Sequence, residues 1–556
     1  MSHAAVPGVD AVFENGWIYT GLEDGPRLAG LAIGGGRILS CDPEEIARLA
    51  PRAAQRIDLD GRLLLPGFQD AHAHPVIAGT ELLGCDLSGC ADAEAALAAI
   101  KAYAEANPER EWIIGAGWSM DAFPGGTPTR RLLDAIVPDR PVLLENRDHH
   151  SAWANTRAFA AAGIDAGTPD PPDGRFEREA DGTPAGTMHD GAMFLFEAVR
   201  ATPSDEDAYA GLLEAQRRML ALGVTAWQDA AIGSLMGRPD TLPIYLRALA
   251  AGTLHARVRG AQWWDRTAGL AQLAGLIERR DAVAALHPPE RFSLGTVKIM
   301  VDGVAESRTA AMHGHYRDAA GASTGSTGLA FFPPAQLAEF VTAIDASGMQ
   351  LHFHALGDRA VTDALDALEH ALRTNGKQHL RHHLAHLETV APADLARFAE
   401  LGATANLQPL WAAHDAQLDE LVIPFLPAGV EATLYPFAAL ASAGATLAAG
   451  SDWPVSSPDP VQAIHVAVNR RRPASAAPPL GEAQALTVTQ AVNAYTSGSA
   501  RVNHLDTVTG QLRPGAFADI AILDRNLFAI DAAELHTAVV DETWIAGQRV
   551  YSRSGD

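Results

Sequence analysis

Leu63-Leu-Leu-Pro-Gly-Phe-Gln-Asp-Ala-His-Ala-His-Pro75 is the stretch on which the fold of this chain turns. It begins apolar and ends in two histidines, His72 and His74, spaced i, i+2. Side chains alternate along a strand, so this spacing sets both imidazoles on one face, about 7 Å apart along the chain. Two neutral imidazoles at the mouth of a strand make half of a zinc-type site. In a chain with 21 histidines a bare His-x-His also arises by chance, so its meaning comes from its surroundings.

Downstream of this stretch, short apolar runs alternate with Ala/Leu/Arg/Glu-rich segments of helical period, the pattern of successive βαβ units. Strands are predicted at residues 224–229, 256–261, 295–302, 349–354, 381–386, 403–408 and 445–452. With an opening strand at 63–72 they number eight. The expected fold class is therefore α/β, a (β/α)8 TIM-type barrel spanning 65–499.

The interval from 73 to about 222 is too long for one crossover, and residues 85–215 read as an inserted α/β subdomain. It carries predicted helices at 92–106, with Asp92 as N-cap, and at 129–135. Its Gly/Pro/Asp-rich segment 167–186 predicts a long loop or lid edge. Residues 1–64 and 500–556 show short strands and Gly-rich turns, which predicts one small β-sandwich assembled from both ends.

An apolar content of 47% and a charged content of 20% over 556 residues describe a globular chain with ample core. The formal net charge of −25 argues against nucleic acid or an anionic membrane as partner, and for a small-molecule substrate. Three cysteines, Cys41, Cys85 and Cys90, are too few for a disulfide framework, and a cytoplasmic location is expected. No apolar run reaches 18 residues and the N-terminus has no signal-peptide pattern, so no membrane span is expected.

Barrel enzymes act at the C-terminal ends of their strands, so the polar residues there are the candidates. Lys298 is one of only three lysines, and it stands in the apolar run Thr-Val-Lys-Ile-Met-Val. It is either a salt-bridged or snorkelling lysine, or a desolvated amine able to add CO2 and bridge two metals as a carbamate. Asp452, in Gly450-Ser-Asp-Trp-Pro454, is either a helix cap or a metal ligand that also takes a proton from water. His354 precedes a strand-to-loop signal, while His352 lies one pleat deeper as a core or supporting histidine. Strand six offers His382, His383 and His386. His313 and His315 sit in a loop, and His149-His150 reads as pocket wall or structure. Trp118, Trp153, Trp263, Phe331 and Phe332 are aromatic residues in predicted loops that either line an apolar pocket or fill core. Arg308, just after strand four, meets either an anionic group or a loop carboxylate.

Together these motifs resemble the amidohydrolase superfamily, over nearly the whole chain. Val297-Lys-Ile-Met-Val-Asp-Gly303, Ser307-Arg-Thr-Ala310, His354-Ala-Leu-Gly-Asp-Arg359, Gly450-Ser-Asp-Trp-Pro-Val455 and His150-Ser-Ala-Trp-Ala-Asn155 are similar to its YtcJ-like branch, which includes N-substituted formamide deformylases. The resemblance implies that His72, His74 and Asp452 hold one divalent metal, His354 and His386 a second, and carboxylated Lys298 bridges them. Zinc is the default metal, and an unmodified Lys298 would leave a one-metal site. Asp452 would be general base and acid for a metal-activated hydroxide cleaving an amide, formamide or cyclic amide. A homodimer is the assembly implied.

The chain departs from the branch pattern twice. Asp190 stands where the branch has a glutamate, and Ala385 replaces a glutamate in the strand-six motif. The alternatives are an ester or lactone hydrolase or an isomerase on the same site, and a non-catalytic binding protein.

Overall fold

Eight parallel strands organise the chain in the computed structural model, which describes residues 8–235 and 238–555. They are β1 (Phe68–Ala73), β2 (Val224–Ile232), β3 (Arg257–Trp263), β4 (Phe292–Met300), β5 (Gln350–Ala355), β6 (His383–His386), β7 (Thr404–Leu407) and β8 (Thr446–Ala449). Each pairs in parallel with the next, from β1 through to β8. Helices cover the outside, so most strand positions are buried on both faces; in β2 all nine are. This is why the strands read as apolar runs and not as alternating patterns.

The helices follow from equally local signals. Ser204 and Asp207 form a capping box at the start of Asp205–Ala221, satisfying amides that the helix leaves unpaired. Asp358–Asn375 buries Val361, Ala364, Leu365 and Leu368, a stripe at helical spacing that packs on the sheet.

The barrel is nearly closed. β1 and β8 share no regular ladder; they are stitched by the Asp452 amide donating to the His72 carbonyl at 2.7 Å and the His74 amide to the Trp453 carbonyl at 2.8 Å. The Asp70 carboxylate accepts from the amides of His72 at 2.9 Å and Ser451 at 3.1 Å, pinning the two edges together. Gly450 permits the contact, because a Cβ there would lie 2.6 Å from the His72 nitrogen.

The opening stretch is two strands and not one. Leu63–Pro66 belongs to a sheet formed by the chain ends, pairing with Ile520–Leu523, while Phe68–Ala73 enters the barrel. The break falls at Pro66-Gly67: proline has no amide to donate, and the Gly67 amide turns to the Asp519 carbonyl instead. The terminal sheet draws eight strands from Ala11–Ile18 to Gln548–Ser552. Its strands come from both chain ends on one hydrogen-bonded path, and an Arg37–Phe517 bridge joins distant parts of it. A buried Arg257–Asp519 ion pair at 2.6 Å ties it to β3.

Residues 85–190 form a six-stranded sheet with its own helices, among them Ala93–Ala106, capped by Asp92 through the Ala95 amide at 2.9 Å. The segment 167–186, expected as a loop, contributes to a hairpin of Gly174–Arg178 and Pro184–Asp190. Gly174–Arg178 buries only Phe176, so its sequence carries little strand signal. Among the described residues no helix is long and apolar enough to cross a membrane.

Candidate metal centre and its pocket

The candidate ligands converge at the C-terminal mouth of the barrel. His72 lies in β1, whereas His74 falls one residue beyond it at the N-terminus of helix Pro75–Leu82. Lys298 of β4 is in register with His352 of β5, and Met300 with His354. His386 ends β6, and Asp452 follows β8 by three residues. Asp452 Oδ1 stands 3.2 Å from His72 Nε2 and 3.0 Å from His74 Nε2, and its Oδ2 stands 3.8 Å from His386 Nδ1. Lys298 Nζ is 3.3 Å from His72 Nε2. The rings of His354 and His386 are 4.5 Å apart.

This donor set fits a metal ion. One donor atom each from His72, His386 and Asp452 lies within 4.8 Å of the others. Asp452 Oδ1 and His386 Nδ1 are buried yet have no hydrogen-bond partner. Buried polar atoms are almost always satisfied, so a cluster of orphans at one spot marks a place for a group that binds there. His386 and Asp452 also hold left-handed backbone, φ 82° and 54°, costing about 1–3 kcal/mol each, as is common where function fixes geometry.

Behind the ligands runs a hydrogen-bond relay that fixes their tautomers. The Gln228 carbonyl oxygen accepts from His352 Nδ1 at 2.6 Å and from His383 Nε2 at 3.0 Å. A neutral His352 then has Nε2 as acceptor, and His72 Nδ1 donates to it at 2.9 Å. That leaves the lone pair of His72 Nε2 facing Asp452, the orientation a metal ligand needs. In parallel, Asn406 Nδ2 donates to His383 Nδ1 at 3.2 Å and Gln408 donates to Asn406 at 3.3 Å. Gln408 Oε1 in turn accepts from the His386 amide at 2.6 Å. His354 Nε2 donates to the Gly303 carbonyl at 3.2 Å, which leaves its Nδ1 lone pair free.

Charge states agree with this geometry. Burial, reinforced by Lys298, pushes His72 down to about 3, and burial likewise holds His352, His354, His383 and His386 well below the usual histidine range. All are neutral at pH 7, as ligands must be. Burial lowers Lys298 to about 7. Burial alone would raise Asp452, but His72, His74 and His386 outweigh it and hold its carboxyl well below the usual range.

The cavity over these residues is walled by Ile77, Phe194, Trp263, Met300, Phe331 and Trp411, with Trp411 stacked on His386 at 5.2 Å. Phe331 lines this cavity, under the Arg266 guanidinium at 4.0 Å. Trp118 and Trp153 do not line the cavity. Both are fully buried on strands of the inserted subdomain, with Nε1 donated to the carbonyls of Leu144 and Thr129. Arg308 is exposed over Phe425 and also lies off the cavity. Phe332 packs in the barrel core, His313 and His315 bond to Thr362 and Ser323, and His382 bonds to Asp345.

Two features were not legible as functional in the sequence. His150 Nδ1 and Asp190 Oδ1 form a 2.6 Å pair in the cavity wall, with the His150 ring 5.3 Å from that of His354. Burial opposes a charge on His150, but Asp190 overrides it and raises its pKa. Glu81, Glu145 and His149 also cluster, but Arg238 bridges both carboxylates at 2.9 Å, which makes an ion-pair network of them. The signal for the first pair was the departure at Asp190; an isolated His-Ser-Ala-Trp carries none for its partner forty residues away.

The sequence profile of the amidohydrolase family matches residues 55–551. The chain is 30% identical to the YtcJ protein of Bacillus subtilis (strain 168), over 98% of this chain and 100% of that one. It is 26% identical to the N-substituted formamide deformylase of Arthrobacter pascens, over 94% and 95%. Among solved structures, an uncharacterized metal-dependent hydrolase from Pyrococcus horikoshii OT3 superposes with a TM-score of 0.70 at 24% identity, over 94% of this chain and 99% of that one.

Proposed function

The chain belongs to the amidohydrolase family, and on that footing we propose that it is a metal-dependent hydrolase of a carbon–nitrogen bond in an amide, formamide or cyclic amide. The observation that carries this reading is Asp452: a buried carboxylate facing His72, His74 and His386, with its Oδ1 and His386 Nδ1 left without hydrogen-bond partners. His72, His74 and Asp452 would hold one divalent metal and His354 and His386 a second, with Lys298 shared between the two, zinc being the default by the chemistry of the N/O donors. Such an ion would polarise the scissile carbonyl and make water acidic enough to attack at neutral pH.

The chain's own groups do the rest. Asp452, kept anionic, accepts the proton from the attacking water and returns it to the departing amine. His72 is oriented by Gln228 through His352, Gln408 accepts from the His386 backbone amide, and burial holds both imidazoles neutral. The apolar wall of Phe331, Met300 and Trp411 excludes bulk water from the reacting bond. The likeness to a protein named for N-substituted formamide deformylation supports the C–N class. Lys298 is read as the site of carboxylation: its neutral amine forms an N–C bond to CO2 and gives up one proton, placing an anion beside His72.

Elemental analysis of purified protein, with intact mass measured in bicarbonate, tests the reading. About two metals per chain and a carbamate-sized mass increment lost in Lys298→Ala are expected. One metal with Lys298→Ala still active would replace it with a mononuclear site. No metal under any loading condition would refute it. Asp452→Asn should abolish hydrolysis of an N-substituted formamide panel while keeping most of the metal; full activity would remove Asp452 as base.

A further inference from the structure

The histidines read as metal ligands are not held alike. His72 donates from Nδ1 to His352 at 2.9 Å, His354 donates to the Gly303 carbonyl at 3.2 Å, and His74 Nε2 meets Asp452 Oδ1 at 3.0 Å. His386 has no such tether. Its Nδ1 is buried without a partner, with Asp452 Oδ2 at 3.8 Å beyond hydrogen-bond reach. Its Nε2 has no hydrogen bond to the chain among the described residues. A histidine that binds a metal normally has its other nitrogen tied to a carbonyl or carboxylate, and that tie sets the direction of the ring.

What meets the His386 imidazole is a flat face. Trp411 lies over it with the two rings 4° from parallel and their centroids 5.2 Å apart, an offset stack. The rings of His72 and His354 also touch it, but at 57° and 66°, so neither offers it a plane. The chain brings the indole there by a short route. β6 and β7 pair with His386 opposite Leu407, and β7 runs through Gln408 into the turn Pro409–Trp411, where the Trp411 amide donates to the Gln408 carbonyl at 3.1 Å. One turn therefore grips His386 twice. Gln408 Oε1 takes its backbone amide at 2.6 Å, which leaves both side-chain torsions free, and Trp411 covers the ring those torsions would turn.

We infer that Trp411 is a positioning residue for the metal centre: it holds the plane of the His386 imidazole, the task that hydrogen bonds perform for His72 and His354. The inference rests on the reading of His386 as a metal ligand. It also gives Trp411 a part beyond that of apolar wall, since any apolar side chain would exclude water there and only a flat one aligns the ligand.

Zinc titrated into the full-length protein against a competing chelator tests this, with wild type, Trp411→Leu and Trp411→Phe side by side. Trp411→Leu keeps an apolar cover without a flat face, and should weaken one zinc affinity class by about tenfold or more while leaving the other unchanged. Trp411→Phe restores a ring that can stack and should recover most of the loss. With cobalt(II) as probe, the visible absorption of the weakened class alone should change in Trp411→Leu. Should Trp411→Leu fail to fold, Trp411→Met, unbranched and adaptable at this half-buried position, gives the same readout. Wild-type zinc affinity in a folded Trp411→Leu, a loss that Trp411→Phe shares in full, or a loss spread over both classes overturns the inference and leaves the hydrolase reading standing. A wild-type protein that takes up no zinc overturns both.

Discussion

Replacing Gln228 tests whether the relay behind the metal centre sets the ligand state of His72. Gln228 is fully buried in β2, and its carbonyl is the acceptor for both His352 Nδ1 and His383 Nε2. Gln228→Met keeps the volume and removes the acceptor. Two buried N–H groups are then left unpaired, at about 1–3 kcal/mol each, for a loss of about 2–6 kcal/mol in stability. His352 is also free to move its proton to Nε2. His72 would then have to protonate Nε2 and turn an N–H towards Asp452 instead of a lone pair. Loss of such supporting contacts costs about 10–100-fold in metal affinity. Urea denaturation reads the first effect, and zinc titration against a competing chelator the second. Gln228→Glu, which keeps an acceptor for both histidines, should retain tighter zinc binding than Gln228→Met. A folded Gln228→Met protein that binds zinc as tightly as wild type would refute the relay.

Gly450→Ala should destabilise the chain by about 1–3 kcal/mol and weaken zinc binding, because its Cβ would press on the His72 backbone where β1 meets β8; a wild-type urea midpoint would contradict this. For the His150–Asp190 pair, the raised His150 pKa means that the pair contributes stability below His150's unfolded pKa of about 6.5, lost as pH rises through the higher folded value. Asp190→Asn should therefore lower the urea midpoint at pH 6 more than at pH 9, and a pH-independent difference would count against the ion pair. Arg308→Ala should leave KM unchanged, while Phe331→Ala should raise KM about tenfold for an aromatic substrate. The reverse result would put Arg308 in the binding wall.

The family resemblance singled out His386 among the strand-six histidines; the sequence by itself determined the count of barrel strands and offered His72, Lys298, His354 and Asp452 as polar residues at their ends. Each of these rests on a local regularity: an apolar run for a strand buried on both faces, and a polar residue where that run stops. What only the tertiary structure decided has no local signature. The break at Pro66-Gly67 depends on Ile520–Leu523, far along the chain, offering Leu63–Pro66 a partner. Trp118 and Trp153 could not be assigned to core or cavity from their neighbours, since an aromatic residue suits both. Gln228, Asn406 and Gln408 are lone amides in sequence, and become a relay only because parallel closure stacks β2, β5, β6 and β7 around one axis.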